Sequence, residues 1–259
     1  MRLRWPSNQL NCFKWFAQLL AIMIMVLFGC DDGYGVNKMR VEDFFNDPQV
    51  LLMIKVAEKG DVTKLKKLVD EGVDPNTFGN EGMTVLMWEL GQQNKKAMKA
   101  LLAVGADPNL TDSTGDSPMS MVAAAKDTEL MKVLLEGGGD PDVKNRLGEP
   151  ALFIAVGPRR LANVKTLLDF GADINATDRM GATPILKAAT LNQFEIVAYL
   201  LERGADYKKA NATGATLAWR VQKSRVDPSL PHYKWREKVI KMLEERGVKF
   251  PVPHPAESK

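Results

Sequence analysis

The sequence predicts an all-α solenoid of about six stacked helix pairs, including atypical caps, joined by short turn or hairpin fingers. Three observations predict it. Gly72, Gly105, Gly138, Gly171 and Gly204 stand 33 residues apart, each after a leucine-rich run, and a fixed period of this size marks a chain built from repeated supersecondary units. Gly82, Gly115, Gly148, Gly181 and Gly214 keep the same period one short loop later. A hydroxyl residue then stands just inside four of these loops, as Thr84, Ser117, Thr183 and Thr216.

Each element of the unit has a local reason. The hydroxyls occupy helix starts, where an oxygen can accept an orphan backbone N–H. Pro118 and Pro184 fall at the first helical position, where a missing N–H is harmless. A second helix ends in paired leucines (Leu101, Leu102, Leu134, Leu135, Leu167, Leu168, Leu200, Leu201) that are predicted to fill the seam between units. Burying one such side chain contributes roughly 1.5–3 kcal/mol. The glycine that follows can take the left-handed conformation that ends the helix. Asp74, Asp107, Asp140, Asp173 and Asp206 recur in the next turn, where turn geometry accounts for them.

The stretch Thr183-Pro184-Ile185-Leu186-Lys187-Ala188 resembles the T-P-L-H-x-A signature of ankyrin repeats. The resemblance covers about residues 44–250 and implies an ankyrin-repeat solenoid that binds other proteins. Two departures stand out. Pro150 replaces the capping hydroxyl of one unit. The position of the signature histidine holds Met87, Ser120, Phe153, Leu186 and Trp219, so apolar packing should replace the Thr–His network of the family.

The ends differ from the middle, as solenoid caps must, because one face meets water rather than a neighbour. The first unit, about residues 48–76, lacks a leading turn and begins Phe44-Phe45-Asn46-Asp47-Pro48. Its Lys64, Lys66 and Lys67 fit a solvated face. The last interval, Gly204 to Gly247, exceeds the period by an insertion at about 225–234, which holds Pro228 and Pro231 and precedes a closing helix at 235–246. Residues 251–259, spaced by prolines, are expected to form a flexible tail.

The N-terminus follows other rules. Arg2, Arg4 and Lys14 precede an uncharged apolar run at 17–28, which suits a secretory signal and is short for a bilayer span. Leu27-Phe28-Gly29-Cys30 resembles the lipobox of bacterial lipoproteins, with Phe28 bulkier than the residue usual there. That resemblance implies lipidation at Cys30 and cleavage before it; an uncleaved signal anchor is the alternative. Asp31 and Asp32 resemble the signal that retains enterobacterial lipoproteins in the inner membrane, the plainer reading being an acidic linker. The predicted organisation is a signal peptide at 1–29, a lipidated cysteine and tether at 30–47, an ankyrin-repeat domain at 48–250 and the tail at 251–259. With Cys12 in the signal and Cys30 acylated, no disulfide is expected. Cleavage would remove three basic residues and no acidic one, lowering the formal charge from +3 to 0. A neutral chain has no electrostatic footprint for nucleic acid.

The ankyrin resemblance implies that partners dock on finger tips and inner-helix faces. The tips carry Phe78, Asn80, Glu81 and Met83; Thr111, Ser113, Thr114 and Asp116; Lys144, Arg146, Leu147 and Glu149; Arg179, Met180 and Ala182. The inner-helix candidates are Trp88, Met121, Ile154, Lys187 and Arg220. Exposed apolar groups beside charge mark interaction sites, and aromatic residues and arginine are favoured anchors. Phe78, Met83, Trp88, Arg146, Leu147, Arg179 and Met180 are therefore the predicted partner-binding set, with stapling of neighbouring fingers as the plainer role. Arg159 and Arg160 replace an ordinary inter-helix turn. They are suited to a carboxylate or a phosphate headgroup, though many such pairs are only solvated. His232, Tyr233 and Trp235 offer a second contact surface or a cover for the last core layer.

His232 and His254 are the only histidines. No Cys/His/Asp cluster has metal-ligand spacing, and no phosphate loop or nucleophile elbow occurs. The sequence therefore predicts a non-enzymatic protein-binding module without a cofactor or metal. Joined to the lipobox, it resembles the ankyrin-repeat lipoproteins of Gram-negative bacteria, which implies a lipid anchor in the inner membrane and repeats facing the periplasm. By analogy the leading expectation is an immunity protein that occludes a secreted antibacterial effector such as a phospholipase. The alternative is a scaffold or chaperone for a resident envelope enzyme.

Overall fold

A computed structural model describes residues 40–230 and 232–255. The signal peptide and Cys30 lie outside the described residues. Within them are twelve α-helices and no extended strand, so the all-α class predicted from the sequence is the one found. The helices come in six pairs divided between two compact units, one running to Gly139 and the other from Asp140.

The first unit holds α1 (Pro48–Glu58), α2 (Val62–Asp70), α3 (Val85–Gly91), α4 (Lys95–Leu102), α5 (Pro118–Val122) and α6 (Thr128–Glu136). The second holds α7 (Ala151–Val156), α8 (Leu161–Asp169), α9 (Pro184–Thr190), α10 (Phe194–Glu202), α11 (Leu217–Lys223) and α12 (Tyr233–Glu245). Odd-numbered helices are the inner members and even-numbered helices the outer ones. The insertion lies between α11 and α12, where the sequence places it.

Most caps follow the sequence logic. Thr84 accepts from the Met87 N–H at 3.2 Å, Thr216 from Trp219 at 3.4 Å, and Ser117 from Ser120 within a reciprocal capping box. Thr183 does not cap: its hydroxyl is buried and makes no hydrogen bond. Pro150 leaves α7 without a side-chain cap, as its chemistry requires. The recurring aspartates hold five like turns. Asp74, Asp107, Asp140, Asp173 and Asp206 each accept the N–H two residues on, at 2.8–2.9 Å.

The seam is apolar. Leu101, Leu134, Leu135, Leu167, Leu200 and Leu201 are buried. Leu102 and Leu168 are only half-buried; Leu102 lies against Gly137, where a Cβ would meet its side chain at 2.6 Å. Neighbouring turns are also tied by polar rungs. Asn76 donates to the Gly105 carbonyl and accepts from the Asp107 N–H, and Asn175 accepts from the Asp206 N–H. The helix-ending glycines such as Gly204 (φ 87°) have nothing within 4 Å of a hypothetical Cβ, so the requirement there is conformational and not steric.

Both ends are more ordered than the sequence suggests. Val41–Asp43 forms a 3-10 turn, and Phe44 and Phe45 are buried, although all five residues fall within the tether predicted at 30–47. The tail folds back instead of hanging free. Gln222 donates to the Val252 carbonyl at 3.1 Å and accepts its N–H at 2.7 Å, while His254 meets the Trp219 ring edge-on at 5.7 Å. The expectation of a flexible 251–259 segment is thus corrected over 251–255: the open side of α11 offers an apolar ring and a paired donor and acceptor that this extended segment satisfies.

One core residue breaks the pattern. Glu89 on α3 is fully buried, and neither carboxyl oxygen has a well-formed hydrogen bond. The 33-residue period places Val122, Ala155, Ala188 and Val221 at this position in the other units. Burial pushes its pKa up to about 8; Glu58 adds to the rise and the Asn94 side chain opposes it.

Candidate functional site

The fingers are held by a clamp that escaped sequence analysis. Asp112, Asn145, Asp178 and Asn211 each use one oxygen to accept two backbone N–H groups, two and four residues on. At Asn145 the donors are Leu147 (3.0 Å) and Glu149 (2.9 Å); at Asp178 they are Met180 (2.9 Å) and Ala182 (2.8 Å). The signal was present in the sequence, because these four residues share the 33-residue period. The first finger has Gly79 at this place and turns instead through Asn80–Gly82, with Glu81 left-handed at φ 59°.

The clamp projects its first donor outward. Leu147 and Met180 are each 56% exposed, and Phe78 on the first finger is 54% exposed. All three apolar tips therefore stand in solvent, as predicted. Arg146 and Arg179 are exposed beside Leu147 and Met180. The second unit brings these four together: the Arg179 guanidinium donates to the Arg146 carbonyl at 2.9 Å. It also lies over Gly148, whose hypothetical Cβ would come within 2.8 Å of Arg179 Nε. Arg179 is thus both a rim residue and a staple between fingers. Phe78 belongs to the first unit.

Two predicted site residues are corrected. Met83 is 2% exposed and lies in the core. Its position repeats as Asp116, Glu149, Ala182 and Ala215, the inward-turning end of each finger, where the chain enters the inner helix. Trp88 is also buried, because Phe44 covers it at a centroid distance of 5.6 Å. Its counterparts Met121, Ile154, Lys187 and Arg220 are half-buried. At the N-terminal cap the segment at Val41–Phe45 adds cover to that face through Phe44.

Lys187 is the charged centre of the inner-helix face in the second unit. Its ammonium sits 3.9 Å from the Phe153 ring centroid and 3.6 Å from Glu149. Burial lowers its pKa, and Glu149 works against that fall. Among the described residues no group of His, Cys, Asp or Glu is placed to hold a metal ion, and no helix is long and apolar enough to cross a membrane. The arrangement offers shape, apolar tips and a charged rim, which are the requirements of recognition.

This geometry agrees with the comparisons. A family model for ankyrin repeats (three copies) matches residues 52–145 and 120–211, and the chain belongs to the ankyrin-repeat family. Its fold is similar to that of EF0377, an ankyrin repeat protein, with a TM-score of 0.59 and 27% identity over 74% of this chain and 96% of that one. An ankyrin repeat domain from Acinetobacter baumannii AYE gives a TM-score of 0.63 and 26% identity, covering 77% of this chain and 100% of the other. The ankyrin repeat domain of Bcl-3, a member of the IkappaB protein family, gives 0.60 and 23% over 74% and 81%; at that identity the likeness is one of fold alone. No curated protein matches the chain. Ankyrin repeats are protein–protein interaction modules, so the partner this fold implies is another protein.

Proposed function

We propose that the chain is a lipid-anchored periplasmic immunity protein that covers the active site of a secreted antibacterial effector, such as a phospholipase. The observation that carries this reading is the rigid apolar tip pair Leu147 and Met180, rimmed by Arg146 and Arg179, on a fold whose work is binding. A clamped tip loses little entropy on docking, which favours tight occlusion without any chemistry of its own. The lipobox-like Leu27–Cys30 segment and Asp31-Asp32 support an anchor in the inner membrane, where membrane-directed damage would occur.

Deletion of the gene tests the reading. Cells lacking the protein should grow normally until the effector reaches their periplasm, and then lyse. A deletion that weakens a resident envelope enzyme with no effector present would replace immunity with a scaffold role. For the surface, Leu147→Ala with Met180→Ala should leave the helical signal intact and reduce protection; truncated hot spots commonly lose about 2 kcal/mol or more each. Full protection by the folded double variant would place the interface elsewhere.

A further inference from the structure

The C-terminal segment sits on the open side of α11 as a peptide ligand would. Gln222 donates to the Val252 carbonyl from Nε2 at 3.1 Å and accepts the Val252 N–H on Oε1 at 2.7 Å. One side-chain amide thus satisfies both backbone groups of a single residue. Farther along, His254 meets the Trp219 ring edge-on at 5.7 Å, and Pro255 lies over Gly214, where a Cβ would come within 3.3 Å of it. Pro251-Val252-Pro253 is a Pro-X-Pro sequence. Each proline fixes its own φ and holds the residue before it extended, which favours the polyproline II conformation, with its backbone groups free of internal hydrogen bonds. Prolines carry no N–H, so Val252 supplies the only backbone donor of the three, and Gln222 takes it. The 33-residue period sets Leu90, Ala123, Val156 and Ala189 at the position of Gln222, all of them buried. The last unit replaces these apolar residues with an amide suited to an extended backbone.

The tail does not fill its seat. Pro251, Pro253 and His254 stay exposed, and Val252 and Pro255 are only half-buried. A cavity of about 370 Å³ is left, lined by Gln222, Arg236, Ile240, Phe250 and Pro251. None of these five is fully buried, so each has surface to offer a ligand. Arg236 brings no open charge: it donates to the Ser224 hydroxyl from Nε at 2.8 Å, to the Val221 carbonyl from Nη2 at 3.3 Å and to Glu237 from Nη1 at 2.9 Å. The cavity is therefore apolar in character, walled by Ile240, Phe250 and Pro251, and its volume has room for a large apolar side chain.

We propose that α11 and α12 form a binding site for an extended Pro-X-Pro segment of a partner protein, led by a large apolar residue, and that the chain's own tail is its built-in competitor. The partner's X residue pairs with Gln222 through its backbone, its later residues follow the path from Trp219 to Gly214, and its leading side chain fills the space beside Ile240. A polyproline II ligand is preformed, so it loses little entropy on docking, and such segments dock on aromatic-lined grooves. The tail, being tethered, competes at an effective concentration on the order of millimolar. The site therefore opens only to a ligand that fits it better than the tail does. It shares no residue with the Leu147 and Met180 tips and takes from the proposed function only that partners are proteins.

The test is fluorescence anisotropy of the peptide Phe-Pro-Val-Pro-His-Pro, labelled through an added C-terminal lysine, titrated with the full-length chain. Three proteins are compared: wild type; Val252→Pro, which removes the N–H that Gln222 accepts and so releases the tail; and Val252→Pro with Gln222→Ala, which also removes the pairing amide. The released protein should bind the peptide at least about ten-fold more tightly than wild type, and Gln222→Ala should abolish that gain. A peptide with N-methylvaline at its centre lacks the same N–H and should bind the released protein about ten-fold more weakly. With tryptophan in place of the leading phenylalanine, binding should tighten about three-fold as the cavity fills. Equal binding by wild type and the released protein, or indifference to N-methylation or to Gln222→Ala, overturns the proposal. A tryptophan peptide that binds no more tightly than the phenylalanine one also overturns it, because the tail would then be the ligand the seat fits. None of these arms involves Leu147 or Met180, so failure here leaves the finger-tip interface standing.

Discussion

Glu89→Gln removes an ionisable group while keeping the shape of the side chain, and its effect can be worked out from burial. An isolated glutamate titrates near 4.5, whereas the folded state holds this one at about 8. Over that interval the folded state binds more protons than the unfolded state, so stability falls as pH rises from about 4.5 to 8 and is level beyond. Each pKa unit corresponds to about 1.4 kcal/mol, which puts the total loss on the order of 3–5 kcal/mol. That is a large share of the 5–15 kcal/mol typical of a domain. Urea unfolding followed by far-UV circular dichroism at pH 4.5, 6, 7 and 8.5 reads it directly, and the fluorescence of adjacent Trp88 reports the first unit. Wild type should lose stability steadily across the series, and Glu89→Gln should lose far less. The glutamine variant should therefore be the more stable protein at pH 8.5 by several kcal/mol. Parallel stability profiles for the two proteins would refute the reasoning, because they would mean the carboxylate is solvated when ionised.

Other outcomes follow from packing and turns. Leu134→Ala should destabilise by roughly 2–5 kcal/mol by leaving a cavity at a fully buried seam position, measured as a shift in urea midpoint. Asp178→Ala removes the acceptor of two finger N–H groups; a loss of about 1–3 kcal/mol and faster amide exchange at Met180 and Ala182 are expected. Ending the chain at Phe250 should expose Trp219 and speed proteolysis near Gln222, whereas an unchanged protease pattern would mean the tail is not docked in solution.

Much of the fold was legible because it is local and periodic. The glycines that end helices, the hydroxyl caps at Thr84, Ser117 and Thr216, and the aspartate turns act within a few residues, so a 33-residue spacing carries them into three dimensions. The same spacing held more than was read from it. The clamp series of Asp112, Asn145, Asp178 and Asn211, and the misfit of Glu89 among Val122, Ala155, Ala188 and Val221, are visible in the period. Met83 was misplaced because hydrophobicity alone does not say which end of a finger turns inward; Ala182 and Ala215 at the same position carry that signal.

By itself, the sequence determined the repeat, the helix pairs and the exposed tips Phe78, Leu147 and Met180, because each follows from residue type and spacing along the chain. Only the tertiary structure decided which surfaces stay open. Phe44 closes over Trp88, the segment ending in Pro255 lies back on α11, and Gln222, Arg236 and Phe250 line one cavity. Each is a contact between residues far apart in sequence or outside the repeat, and burial is set by such neighbours. A periodic pattern specifies how units are made, whereas solvent access depends on what covers them.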